Sequence, residues 1–175
     1  MGIQLMPAQA SVFDVSYNTL SSNTNDLWMG PWVPDFVPAS ASKYAIHDNT
    51  FGAAGILLED DTAHHWIDAT ITHNTVTVRA PHTEGIRVRN TIGTTISGNT
   101  LTGTAAHTAI GLYGVTSGSV KANAVGKFTL DPNGGAAQVY LDSASAKNHV
   151  ACSSPADTVL DQGTDTVVTG CTLSH

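Results

Sequence analysis

The protein has 175 residues, of which 41% are apolar and 12% are charged, and 14 acidic against seven basic side chains give it a formal net charge of −7. This composition offers no basic surface for a phosphate backbone. It also has no apolar run of the roughly 18 residues that a membrane span requires, so we expect neither a nucleic acid nor a membrane as a partner. The length fits one domain, and abundant Thr, Ser, Asn and Gly favour strands and turns over helices.

The first residues show no pattern of an export signal. The segment from Met1 to Pro7 lacks a basic region followed by an apolar one. We therefore expect a soluble protein, whose extracellular location would require a signal upstream of Met1.

A repeat begins near residue 15. Its pattern is an apolar residue, two variable residues, Asn, a small residue and a second apolar residue. Clear copies are VSYNTL (15–20), IHDNTF (46–51), ITHNTV (71–76) and ISGNTL (96–101), and weaker copies are VKANAV (120–125), SAKNHV (145–150) and VTGCTL (168–173). Successive Asn positions, with Cys171 in the last, are separated by 31, 25, 25, 24, 25 and 23 residues. Units this short and this poor in helix formers predict a stacked β-coil.

The repeat therefore predicts an all-β fold, a single right-handed parallel β-helix of about seven coils. Coils stacked at roughly 4.8 Å join their inward apolar side chains into one core. An Asn that recurs at one coil position can lie in a tight turn, tolerate a left-handed backbone and hydrogen-bond to the coils above and below.

The first interval is about six residues longer than the others and contains Pro31, Pro34 and Pro38. Proline at this density is incompatible with a hydrogen-bonded strand. We therefore predict a protruding Pro- and Trp-rich loop at residues 21–44.

A second strand follows each Asn, at 55–59, 85–89, 109–113 and 137–141. Because strand side chains alternate between faces, two columns are predicted to point inward and one outward. The inward columns are Ile56, Ile86, Ile110 and Val139, and Leu58, Val88, Leu112 and Leu141. The outward column is Glu59, Arg89, Tyr113 and Asp142.

The alternation of a GIxV strand with an ISxNT(L/F/V) strand resembles the parallel β-helix repeats of pectate-lyase-like proteins, over roughly residues 12–175. The resemblance implies the fold. It leaves the activity open, because this fold is shared by polysaccharide lyases, glycoside hydrolases, uronan epimerases, phage tailspikes and non-catalytic adhesins. Carboxylates that bind Ca²⁺ beside a basic residue would be expected of a lyase, and Asp60 and Asp61 with Arg87 or Arg89 match that set only in part.

The ends of the solenoid have no amphipathic helix to cover them. An open coil offers unpaired backbone groups to any other strand. We therefore expect a homo-oligomer or a fragment of a longer β-helix.

The two cysteines, Cys152 and Cys171, fit either one disulfide or two buried thiols. Cys152 follows Asn148 by four residues, whereas Cys171 occupies the Asn position itself. This offset disfavours direct stacking, although an irregular last coil could bring the two together.

The outward positions of the second strand form the strongest candidate site. For a sugar acid, arginine would hold the carboxylate, tyrosine would transfer a proton and carboxylates would act as acid and base. The predicted catalytic residues are Arg87, Arg89, Tyr113, Glu59 and Asp142, and Tyr140 is a predicted substrate-binding residue. The alternative is a cross-coil ion pair between Glu59 and Arg89 that only makes the face soluble.

A second candidate is a loop cluster that could hold a divalent cation such as calcium or zinc. It contains Asp60, Asp61, His64 and His82, with His65 and Glu84 nearby. The alternative is that these polar residues solvate turns.

Trp28 and Trp32 are predicted to bind carbohydrate through their flat rings, or else to hold the Pro-rich loop against the solenoid. The leading functional prediction is a carbohydrate-associated β-helix that binds or processes an extended polysaccharide, acidic ones included. Whether it is an enzyme stays open. The alternative is a non-catalytic structural module that assembles through its coil ends or a flat face.

Overall fold

The computed structural model describes residues 2–5, 12–21, 26–30, 42–60, 67–79, 84–103, 108–126 and 138–174. Strands numbered in chain order form three parallel sheets. Sheet A contains β1 (Ile3–Leu5), β4 (Leu27–Met29), β7 (Ile56–Glu59), β10 (Glu84–Arg89), β13 (Thr108–Tyr113), β16 (Val139–Leu141), β18 (Thr158–Asp161) and β20 (Thr172–Ser174). Sheet B contains β2 (Val12–Ser16), β5 (Ser42–His47), β8 (Ile67–Thr72), β11 (Thr95–Ser97), β14 (Ser119–Lys121), β17 (His149–Ala151) and β19 (Val167–Thr169). Sheet C contains β3 (Thr19–Leu20), β6 (Thr50–Phe51), β9 (Thr75–Val78), β12 (Thr100–Gly103) and β15 (Ala124–Val125).

From β2 to β16 the chain passes from sheet B through sheet C to sheet A and then begins the next coil. From β17 on, the described strands alternate between sheets B and A, and each strand pairs with its equivalents one coil away. The seven described strands of sheet B match the predicted coil number. The predicted all-β parallel β-helix of about seven coils is thus confirmed. The described part of the chain has no helix that is long and apolar enough to span a membrane.

The core fills the space between the three sheets. All eight side chains of the two predicted inward columns of sheet A are buried, and Ile86 pairs in register with Ile56 and Ile110. Sheet B adds buried Ile46, Ile71 and further apolar side chains to the same cluster. Because side chains alternate between the two faces of each strand, the outward residues of neighbouring strands lie side by side on the surface of sheet A.

The asparagine ladder lies at the turn between sheets B and C. The Asn49 backbone N–H and Nδ2 both donate to Asn74 Oδ1, at 3.0 and 2.9 Å. Asn74 donates in the same way to Asn99, and Asn99 to Asn123. Each amide group satisfies buried polar groups of the neighbouring coil, as expected from the repeat.

The left-handed backbone falls on the residue before each ladder asparagine and not on the asparagine itself. Asp48, His73 and Ala122 have φ values of 55°, 55° and 53°, and Gly98 has 67°. The asparagine side chain instead bonds to neighbouring coils, because the preceding residue makes the turn.

The ladder ends at Asn123, which corrects the assignment of Asn148. Val150 pairs with Val120 in sheet B, so Asn148 lies opposite Gly118 and accepts a hydrogen bond from the Gly118 N–H at 2.8 Å. The same register places Ser153 opposite Asn123. The copy at residues 145–150 is therefore displaced from the column by five residues, because the chain between β15 and β17 is longer than in earlier coils.

The two cysteines form a disulfide across the last two coils. Their Cα atoms are 5.3 Å apart, within the range of a disulfide. Since Val150 pairs with Val168, Cys171 lies opposite Ser153, one position beyond Cys152. The predicted offset of four residues was wrong, because it was measured from Asn148.

The predicted loop at residues 21–44 is wrong in two places. Residues 27–29 form β4, in which Leu27 and Met29 are buried on either side of outward-facing Trp28, and residues 42–44 begin β5. The apolar alternation of β4 precedes the prolines, so their constraint does not reach it. Residues 31–41 lie outside the described residues.

Candidate functional site

The outward side of sheet A carries two columns of side chains in the middle coils. Arg89 pairs in register with Glu59 and Tyr113, which confirms the predicted outward column. The second column contains Trp28, Leu57, Arg87, Gly111 and Tyr140. We call this surface, together with Glu84 and Asp142, the sheet A face.

Glu59 connects three coils of this face. Its Oε1 lies 3.1 Å from an Nη atom of Arg89, and its Oε2 accepts a hydrogen bond of 3.3 Å from Trp28 Nε1. The Arg89 and Glu59 side chains are 44% and 30% exposed, so the ion pair itself contributes only about 0–1 kcal/mol to stability. The predicted pair is present, and it orders Trp28 and Arg89 at the surface.

Tyr113 is the centre of the aromatic part of the face. The guanidinium carbon of Arg87 lies 5.0 Å from the Tyr113 ring centroid, and that of Arg89 lies 5.9 Å away. The Tyr140 ring is 5.4 Å from Tyr113 and tilted by 55°. Contacts of a cation with an aromatic ring at these distances hold the groups in fixed positions.

Glu84 belongs to the face, although the sequence grouped it with the loop cluster. Its Oε1 accepts a hydrogen bond from the Tyr113 hydroxyl, and its Oε2 lies 3.3 Å from Arg87 Nε. The side chain is only 7% exposed. Simple alternation from Ile86 would point Glu84 inward, but Gly85 and Ile86 are both buried, and this break returns Glu84 to the outer side.

Gly111 makes room for this arrangement. A Cβ atom at this position would lie 2.8 Å from Tyr113 Cε2 and would also meet the Glu84 carboxylate. The Tyr113 ring and Glu84 therefore extend over a strand position that has no side chain. The sequence alone gave no signal for this role.

Tyr113 holds its proton firmly. Burial, followed by the hydrogen bond to Glu84 and the charge of Glu84, raises the pKa of Tyr113 well above its ordinary value. A phenol in this state is a hydrogen-bond donor and a poor general base at neutral pH. The arrangement therefore favours recognition over proton abstraction.

Asp142 and Tyr140 complete the C-terminal side of the face. Asp142 Oδ1 accepts hydrogen bonds from the Gly114 N–H at 2.9 Å and from the Ser145 hydroxyl at 2.8 Å. The Tyr140 hydroxyl donates to Gln162 Oε1 at 3.1 Å. Asp142 thus helps to hold the turn after β13.

Of the four predicted metal ligands, only Asp60 lies within the described residues. This residue is buried, and its Oδ2 accepts a hydrogen bond of 2.6 Å from the Ile67 N–H at the start of β8. Asp61, His64 and His82, together with Trp32, lie outside the described residues. Within the described residues, no group of three or more His, Cys, Asp and Glu side chains could hold a metal ion.

A cleft of about 400 Å³ lies elsewhere, where sheet C ends at β15. It is lined by Thr100, Leu101, Thr102, Ala124, Val125, Gly126, Ser153, Ser154 and Asp157. None of the predicted site residues that the structure describes lines this cleft. The cleft and the sheet A face therefore have no described residue in common.

No family model, curated protein or solved structure matches this chain.

Proposed function

We propose that the protein is a carbohydrate-associated β-helix whose sheet A face binds an extended polysaccharide. The observation that carries the proposal is the continuous row of partly exposed rings and charged groups on successive coils, from Trp28 on β4 to Tyr140 on β16. Four coil steps span roughly 19 Å. A straight, ordered surface of this length suits an extended chain better than a compact small molecule.

The chemistry of the face also supports carbohydrate as the ligand. Aromatic rings pack against the C–H faces of sugars, and guanidinium and carboxylate groups bond to hydroxyls. The resemblance of the strand repeats to pectate-lyase-like proteins agrees with this proposal. That analogy stays secondary, since adhesins without catalytic activity share the fold.

The proposed function is binding of the polysaccharide and not its chemical processing. Glu59 and Glu84 are each engaged by an arginine, and the raised pKa of Tyr113, due first to its burial, disfavours proton abstraction. The groups that would act as acid and base are thus engaged in holding the surface.

Native affinity electrophoresis tests the proposal, with neutral and acidic polysaccharides cast separately into gels. We expect at least one polysaccharide to retard the protein. Tyr140→Ala should weaken that binding about tenfold, because loss of one ring contact costs about 1.4 kcal/mol. Tyr17→Ala is the matched control, since Tyr17 is 79% exposed but lies beside sheet B. If no polysaccharide retards the protein, or if both variants lose binding equally, the proposal is wrong.

A second candidate is a non-catalytic module that assembles with a second copy of itself. Exposed apolar side chains occur on the edge strands of sheets A and B, where Val12, Val167 and Leu173 are 82%, 55% and 42% exposed. Edge strands of this kind can pair with another chain. Light scattering tests this candidate: a dimer or larger species that Val167→Lys dissociates supports it, and a monomer contradicts it.

A further inference from the structure

The positive charges of the sheet A face are already matched within the face. Two guanidinium groups, Arg87 and Arg89, stand against three carboxylates, Glu59, Glu84 and Asp142. Each guanidinium is within 3.3 Å of its own carboxylate. The described face thus has a negative charge in excess, although arginine was predicted to hold the carboxylate of a sugar acid.

A uronic acid that contacted either arginine would also approach the carboxylate beside it. Glu84 lies against Arg87 and Glu59 against Arg89, each through one nitrogen of the guanidinium, so a ligand carboxylate could use only the remaining N–H groups while it stood close to a second negative charge. Displacement of Glu84 would be unfavourable, because its side chain is only 7% exposed. Glu59 also accepts a hydrogen bond from Trp28. Both arginines are therefore poor receptors for a further anion.

The field of the whole protein acts in the same direction. The formal net charge of −7 repels a polyanion before contact, and this repulsion is strongest at low salt. A polysaccharide with a carboxylate or sulfate on each sugar would meet this repulsion, and it would also meet arginines that already have a carboxylate beside them.

We infer that the sheet A face selects a neutral polysaccharide and excludes acidic ones. This inference rests on the proposed function, and it names the ligand class of the same site. A sugar hydroxyl both donates and accepts, so vicinal hydroxyls can bond to the Glu59 carboxylate and the Arg89 guanidinium together without separating them. Tyr140 and Trp28 supply ring surface at the two ends of the row.

The test compares wild-type protein on three affinity gels that contain hydroxyethyl cellulose, galactomannan and polygalacturonate. We expect retardation by at least one neutral polymer, with a dissociation constant that changes less than twofold between 50 and 500 mM NaCl. We expect no retardation by polygalacturonate. If polygalacturonate binds the wild-type protein and salt releases it, the inference is overturned while the proposed function stands. If no polymer binds, both are overturned.

A charge variant provides the second part of the test. In Glu59→Gln/Glu84→Gln both arginines lose their anionic partners, so polygalacturonate should retard this variant at least tenfold more strongly than the wild-type protein at 50 mM NaCl. The matched control is Asp68→Asn/Asp165→Asn, which removes the same number of charges from other surfaces and should gain no affinity. Glu59→Gln alone, at a position that is 30% exposed, keeps the test valid if the double variant fails to fold, and it should show a smaller gain. Equal gains in the charge variants and the control would contradict the inference.

Discussion

Replacing Asn74 by alanine should remove the central link of the asparagine ladder. Asn74 Oδ1 accepts from the Asn49 N–H and Nδ2, and Asn74 Nδ2 donates to the Ile46 carbonyl, the Thr72 carbonyl and Asn99 Oδ1. Because the Nδ2 group has two hydrogens for its three acceptors, these contacts amount to about four full hydrogen bonds, which at about 1 kcal/mol each contribute about 4 kcal/mol. This is a large share of the roughly 5–15 kcal/mol that stabilises a typical domain.

The matched control is Asn18→Ala, at the N-terminal end of the same ladder. The Asn18 side chain makes two hydrogen bonds, to the Ser16 carbonyl and to Asn49 Oδ1, and both are only part-buried. Its loss should therefore cost about 2 kcal/mol.

Urea unfolding followed by circular dichroism at 25 °C measures both free energies of unfolding. The difference between the two variants should be about 2 kcal/mol, since about two fewer full hydrogen bonds are lost at position 18. Equal losses would refute this reasoning, because they would show that a ladder position stabilises the fold regardless of the number of bonds it makes.

Three further predictions concern the turns and the last coils. Cys152→Ser should lower the free energy of unfolding by about 3 kcal/mol, because the disulfide closes a segment of 19 residues, and reduction of the wild-type protein should give the same loss in a urea titration. Ala122→Gly should raise the melting temperature, because alanine at a φ of 53° costs about 1–2 kcal/mol, whereas Ala124→Gly in strand β15 should lower it. The hydrogen bond to Asp48 raises the pKa of His47, so the stabilisation due to protonated His47 is complete below its unfolded pKa and is lost as the pH rises through the folded value. The melting temperatures of wild type and His47→Gln should therefore differ more at pH 5 than at pH 8.

The features with a regular period could be predicted from the sequence. The period of two within strands and the recurrence of an apolar strand after each asparagine sufficed to predict the register of Ile56, Ile86 and Ile110 and the outward position of Arg89. Such patterns are informative because each inward residue must be apolar to be buried and each coil repeats the same requirement.

The features that depend on a break in the period could not be predicted. The longer connection before β17 moved Asn148 out of the column, and only strand pairing reveals the shift. Glu84 reaches the outer side because two consecutive residues, Gly85 and Ile86, are buried. The space over Gly111 is a three-dimensional property, since the groups that occupy it come from β10 and β13.

Equivalent positions of neighbouring coils are separated by different numbers of residues, and this bears on how the sheet A face could be lengthened. In the observed register, the intervals along the ladder column range from 18 residues, between Ser153 and Cys171, to 31, between Asn18 and Asn49. Connections of different length are thus accommodated while the strands keep their pairing. Duplication of one coil would add about 4.8 Å to each sheet and one more residue to each outward column. Under the proposed function, the number of coils would set the length of the polysaccharide segment that the sheet A face can bind.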